Sequence, residues 1–181
     1  MKVVLDACVL YPTVLREILI GAAGAGLFTP LWSDRILEEW ARATRKLGAG
    51  AEAVARGEVA LLRAAFPAAC VPARPAIEAR LTLPDDNDRH VLAVAVAAGA
   101  DAILTFNAAD FPRHLLAEEG LVRRDPDGFL WELWSHHPQA VSQAVDAVRA
   151  RTERLSGRPQ PLRALLKRAK LPRLGKAMDQ V

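Results

Sequence analysis

Two short runs of wholly apolar residues, Val3-Val4-Leu5 and Ala102-Ile103-Leu104, each end abruptly on a polar side chain, Asp6 and Thr105. A strand with no polar face must be covered on both sides, as in a parallel sheet buried under helices. The intervening sequence supplies the helices. Leu15, Ile18, Leu19 and Ala22 share one face of a helix expected over residues 13–25, ended by Gly24 and Gly26. Ser33 is a natural N-cap for a helix over 34–46, whose apolar positions are Ile36, Leu37, Trp40, Ala41 and Thr44. After Gly48-Ala49-Gly50 a further helix is expected over 52–65, closed by Phe66-Pro67. Residues 69–80 read as strand and loop. Pro84-Asp85-Asp86-Asn87-Asp88 opens a helix over 88–98 that stops at Gly99, and Leu121-Val122 is a last short strand. Strands alternating with helices define an α/β fold with a mostly parallel sheet, whose ligands bind beyond the carboxyl ends of the strands. Asp6 and the 105–110 loop both fall there.

The acids near those strand ends are the candidates for chemistry. A buried, unpaired carboxylate costs several kcal/mol, so Asp6 after an apolar strand needs a cation, a cap or a hydrogen bond to hold it. Asp85, Asp86 and Asp88 crowd one helix start, where acids suit the macrodipole, but a single cap does not need three. Glu38 and Glu39 stand mid-helix beside Leu37 and Trp40. Asn107 and Asp110 follow the second apolar strand, in a loop where Asn and Asp also make turns. Together these positions give an all-oxygen pocket, which selects a hard cation such as Mg²⁺ or Mn²⁺ and suits in-line phosphoryl displacement. His90, His114, His136 and His137 have no zinc-type spacing, and Cys8 and Cys70 read as small buried hydrophobes rather than a framework.

Four blocks in order resemble the PIN-domain nucleases, and within them the toxins of bacterial VapBC-type toxin–antitoxin pairs. They are Val3-Val4-Leu5-Asp6-Ala7-Cys8-Val9-Leu10, Ser33-Asp34-Arg35-Ile36-Leu37-Glu38-Glu39-Trp40, Asp85-Asp86-Asn87-Asp88-Arg89-His90-Val91-Leu92-Ala93, and Thr105-Phe106-Asn107-Ala108-Ala109-Asp110-Phe111. Asp125-Pro126-Asp127-Gly128-Phe129-Leu130 is similar to the segment that ends such a domain. The resemblance implies a three-layer PIN-like sandwich over 1–130, with a helical extension over 131–181. It implies a metal-dependent endoribonuclease with Asp6, Glu39, Asp88 and Asp110 as the acidic quartet. Asp6, Asp88 and Asp110 would hold Mg²⁺ or Mn²⁺, with Thr105, Asn107 and Asp85 in support. An RNA substrate, a cognate antitoxin and a homodimer are the implied partners. Two positions depart from the pattern. Cys8 stands where Asn or Ser is common, which weakens the expected support of Asp6. Asn107 replaces a further Asp of many relatives, so one tightly held ion is expected rather than two.

Charge is uneven along the chain. From residue 149 onward there are ten Lys and Arg against two acids, a net of +8, while residues 1–148 carry 14 against 19, a net of −5. A basic end on an acidic body suggests a polyanion or an acidic partner. Val141, Val145, Val148 and Thr152 give the first part of that region an apolar stripe, and Leu162, Leu165, Leu166 and Ala169 suggest one more short helix. No apolar window spans a membrane and no secretory leader is recognisable, so a cytoplasmic location is expected. A dehalogenase-type phosphatase also begins with a strand ending in Asp, but that class needs a second Asp where Cys8 stands and a late lysine. No lysine lies between Lys46 and Lys167. A non-catalytic RNA- or protein-binding module on the same fold is the other alternative.

Overall fold

The computed structural model describes residues 1–180. The two apolar runs are strands β1 (Lys2–Leu5) and β3 (Ala102–Leu104), and their apolar residues are wholly buried. With β2 (Thr29–Leu31) and β4 (Val122–Arg124) they form a four-stranded sheet in the order β2-β1-β3-β4, every pairing parallel. The chain leaves β1 for one neighbour, β2, and later returns to its other side as β3. The crevice where such a reversal occurs is the usual ligand position in an open parallel sheet.

The chain divides into two compact units. The first, Met1–Tyr11 with Thr29–Arg124, holds the sheet and the helices α1 (Ala7–Leu10), α3 (Asp34–Ala43), α4 (Ala51–Ala65), α5 (Pro75–Arg80), α6 (Arg89–Ala98) and α7 (Arg113–Glu118). The Ser33 side chain accepts the Ile36 N–H at 3.2 Å and starts α3, which buries Ile36, Leu37, Trp40 and Ala41 as its periodicity demands. Burial of that kind contributes about 1.5–3 kcal/mol per large side chain. Gly99, at φ +57°, ends α6 in the left-handed conformation that glycine adopts without penalty.

The stretch 69–80 differs from expectation. Cys70 makes one parallel bridge with Trp32 and residues 71–74 are loop, as expected, but Pro75–Arg80 is the helix α5. Pro75 at its first position has a φ already suited to a helix and no N–H to lose, so the prolines that read as loop mark a start instead. Strand β2 is unannounced in the sequence because it has only three residues and one is Pro30. It lies at the sheet edge, where a proline is tolerated.

The second unit joins Pro12–Phe28 to the stretch from Asp125 onward. It contains α2 (Thr13–Gly24), α8 (Pro126–His136), α9 (Pro138–Ser156), α10 (Leu162–Arg168) and α11 (Pro172–Met178). Helices α2 and α9 pack closely at Gly21. A Cβ there would meet the Ala144 Cβ at 3.0 Å. Val141, Val145 and Val148 are buried on α9, as the stripe predicts. Leu165, Leu166, Leu171 and Leu174 are buried too, so the basic region is ordered helix. Asp127 accepts the backbone N–H groups of Arg173 and Leu174 at 2.8 and 2.9 Å, and the Arg173 guanidinium lies 3.6 Å over the Trp131 ring. Among the described residues no helix is long and apolar enough to cross a membrane.

Candidate active site

Strands β1 and β3 are in register at Leu5 and Leu104, so Asp6 and Thr105 emerge side by side at the carboxyl edge. Asp6 is 4 % exposed and stands at the N-cap of α1, yet its side chain makes no cap bond. Its Oδ2 instead accepts the Thr105 hydroxyl at 2.6 Å and the Cys8 thiol at 3.1 Å. Thr105 Oγ1 in turn accepts the Asn107 N–H at 3.0 Å, and Cys8 Sγ accepts the Phe106 N–H at 3.3 Å. The whole turn after β3 is thereby tied to Asp6. Burial, then the charge of Asp6, pushes the Cys8 thiol up to about 12. It stays protonated and keeps donating. At the position where an amide or hydroxyl is usual, the thiol donates to Asp6. Neither cysteine is a fully buried hydrophobe, since both are partly exposed and Cys70 donates to Asp34 at 3.3 Å.

The crowd of acids before α6 resolves into separate roles. Asp85 is the cap, accepting the Asn87 N–H at 2.9 Å and its side-chain amide at 3.0 Å. Asp86 pairs with Arg89 at 2.9 Å. Asp88 makes no cap bond, and neither its carboxylate nor that of Asp110 has a hydrogen-bond or ion-pair partner among the described residues. Asp88 is half-buried. Desolvation, then the charges of Asp6, Asp110 and Asp85, push its carboxyl up to about 6. The charges of three acids from three separate segments therefore reach Asp88.

Glu38 and Glu39 part company on α3. Glu38 belongs to a surface network with Arg42 at 2.6 Å and Arg56 at 2.7 Å. Glu39 turns to the other side, where its Oε1 lies 3.0 Å from His90 Nε2 and 3.2 Å from Arg35 Nε. Burial works against the Glu39 charge, but His90 and Arg35 outweigh it and hold the carboxyl below its ordinary value. Arg35 also donates to Glu78 at 3.3 Å and to the Asn87 carbonyl at 3.2 Å, linking Glu39 to the segment that carries Asp88. His90 is 4 % exposed. Its contact with Glu39 is close but not aligned as a hydrogen bond, and neither ring nitrogen has a hydrogen-bond partner.

Three residues that motif reading passed over shape this edge. They are Arg35, His90 and Arg123, whose guanidinium donates to the Ala108 carbonyl and, at 3.1 Å, to that of Phe111. Arg123 thus pins the loop that carries Asp110. Two of them lie inside the matched blocks, but their partners are far away in sequence.

Asp6, Asp88 and Asp110 are carboxylates, and oxygen donors of that kind fit a hard divalent cation. As they stand, no three His, Cys, Asp or Glu side chains among the described residues come together closely enough to hold one.

A parallel sheet with acids gathered at its carboxyl edge, followed by C-terminal helices, is a nuclease-type α/β fold. A profile of the PIN domain matches residues 2–109, and the chain belongs to the PIN domain family. No curated protein and no solved structure matches it.

Proposed function

We propose that the protein is a Mg²⁺- or Mn²⁺-dependent endoribonuclease, the toxin of a toxin–antitoxin pair. The observation that carries this reading is Asp88, a half-buried carboxyl raised to about 6 by burial and by Asp6, Asp110 and Asp85. No side chain among the described residues bonds or ion-pairs with it. A protein gains by such an arrangement when a cation arrives to share it. Asp6, Asp88 and Asp110 would hold the ion, which supplies a water activated for attack and a positive charge for the phosphoryl group. Glu39, held by His90 and Arg35, would join them, and Thr105 with Cys8 would orient Asp6. Asp85 caps the turn before Asp88, and Asn107 bonds Thr105 through its N–H.

The basic surface of α9 and α10 supports a polyanionic or acidic partner, RNA or a cognate antitoxin. A homodimer and a cytoplasmic location belong to the same reading. The test is cleavage of RNA by pure protein with Mn²⁺ or Mg²⁺, against EDTA and against Asp88→Asn. A non-catalytic RNA- or protein-binding module would bind RNA but leave it intact in every arm.

A further inference from the structure

Of the buried side chains on α6 only His90 is polar; Val91, Leu92, Ala93, Val94 and Ala95 are apolar. Its ring is 4 % exposed, and neither nitrogen has an aligned hydrogen-bond partner. Leucine would fill a similar space without leaving buried nitrogens unpaired. What the histidine offers instead is Nε2, 3.0 Å from Glu39 Oε1. That is the separation of an N–H···O bond, short only of alignment. Arg35 reaches the same oxygen, with its Nε at 3.2 Å. Its two terminal nitrogens donate to Glu78 at 3.3 Å and to the Asn87 carbonyl at 3.2 Å, so the guanidinium is itself fixed.

Glu39 is thus tied to residues 87 and 90, one on each side of Asp88 in the chain. Both partners lie against Oε1, and Oε2 has none among the described residues. Asp6 is held in the same manner, with Thr105 and Cys8 both on its Oδ2. Partners of this kind orient carboxylates that receive a cation. We propose that His90 and Arg35 are positioning residues for Glu39. They clamp it by Oε1 against the turn that carries Asp88 and leave Oε2 free for the divalent ion. The role of Oε2 rests on the metal-dependent reading above, but the clamp itself does not.

The experiment uses the full chain with Mn²⁺ as the probe. In EDTA, His90→Leu should melt at or above the wild-type temperature, because it removes unpaired buried nitrogens. Its Mn²⁺ affinity, by titration calorimetry, should nonetheless fall about tenfold or more, and that of Arg35→Met should fall as well. Glu39→Gln should lose as much as His90→Leu, and the two together no more than either, since both break one arrangement. His90→Gln, whose amide nitrogen reaches about as far as Nε2, should recover part of the loss. A metal-free readout is the imidazole nitrogen NMR spectrum in EDTA. It should show a proton on His90 Nε2, with a shift that moves in Glu39→Gln. Unchanged Mn²⁺ affinity in His90→Leu or Arg35→Met, losses that add in the double variant, or an Nε2 signal indifferent to Glu39→Gln overturns the clamp. An Nε2 signal that responds to Glu39→Gln, in a wild type that binds no Mn²⁺, keeps the clamp and overturns the metal-dependent reading alone.

Discussion

Asp88→Asn should make the metal-free protein more stable at neutral pH. The Asp88 carboxyl sits at about 6 against an ordinary 3.8 because burial, Asp6, Asp110 and Asp85 all disfavour its charge. At about 1.36 kcal/mol per pH unit that difference would amount to roughly 3 kcal/mol for a fully buried group. Asp88 is only half-buried, and solvent screening reduces the figure to about 1 kcal/mol. The sign follows from linkage. A carboxyl raised in the folded state gives up stability as pH rises from 3.8 to about 6, bears the full cost above 6, and costs nothing well below 3.8, where both states are neutral. Asparagine carries no charge at any pH. The variant should therefore melt about 2–4 °C above wild type at pH 8 in EDTA. The gap should close as pH falls toward 4. Excess Mn²⁺ should raise the wild-type midpoint by mass action, about 2.7 kcal/mol at a hundredfold excess over the dissociation constant, and raise the variant much less. Scanning calorimetry at pH 4, 6 and 8, with and without Mn²⁺, reads all of this. A variant less stable than wild type at pH 8, or a gap that ignores pH, would refute the reasoning about the cluster.

Three other outcomes follow. Thr105→Val removes the 2.6 Å bond to Asp6 and strands the Asn107 N–H, so it should lose about 1–3 kcal/mol by denaturant melt and weaken Mn²⁺ binding in titration calorimetry. Arg123→Met frees the Ala108 and Phe111 carbonyls and should cut Mn²⁺ affinity, with Arg123→Lys recovering part of it. Equal affinity in all three would leave Arg123 without influence on Asp110. Reversing Arg163 and Lys167 together, both exposed on α10, should lower RNA affinity and flatten its dependence on salt, as measured by filter binding at several ionic strengths.

The sequence announces those parts of the fold that rest on local pattern. The apolar strands β1 and β3, the Ser33 cap and the Gly99 stop each declare themselves within a few residues. What it does not announce depends on neighbours. Three-residue β2 is a strand only because β1 lies beside it, and α5, α7, α8 and α11 are short or begin at prolines that read equally well as loops. The site divides along the same line. Which of Asp85, Asp86 and Asp88 is the cap is a matter of dihedral angles, and the structure spends Asp85 on it. That Thr105 meets Cys8 and Asp6, or that Arg35 joins Glu39 to Glu78 and Asn87, requires segments 43 to 99 residues apart to meet. Within the basic region, buried Leu165, Leu166, Leu171 and Leu174 mean that surface charge reversal, rather than truncation, isolates the effect of charge.

If Asp6 and the acids around it hold a metal that cuts RNA, cleavage depends on both the carboxylate and the ion. Wild type and Asp6→Asn, each confirmed folded by its melt, are incubated with a structured RNA in Mn²⁺ and in EDTA. Cleavage by wild type in Mn²⁺ alone, with none by Asp6→Asn, is the predicted result. Undiminished cleavage by Asp6→Asn, or cleavage that persists in EDTA, would contradict it.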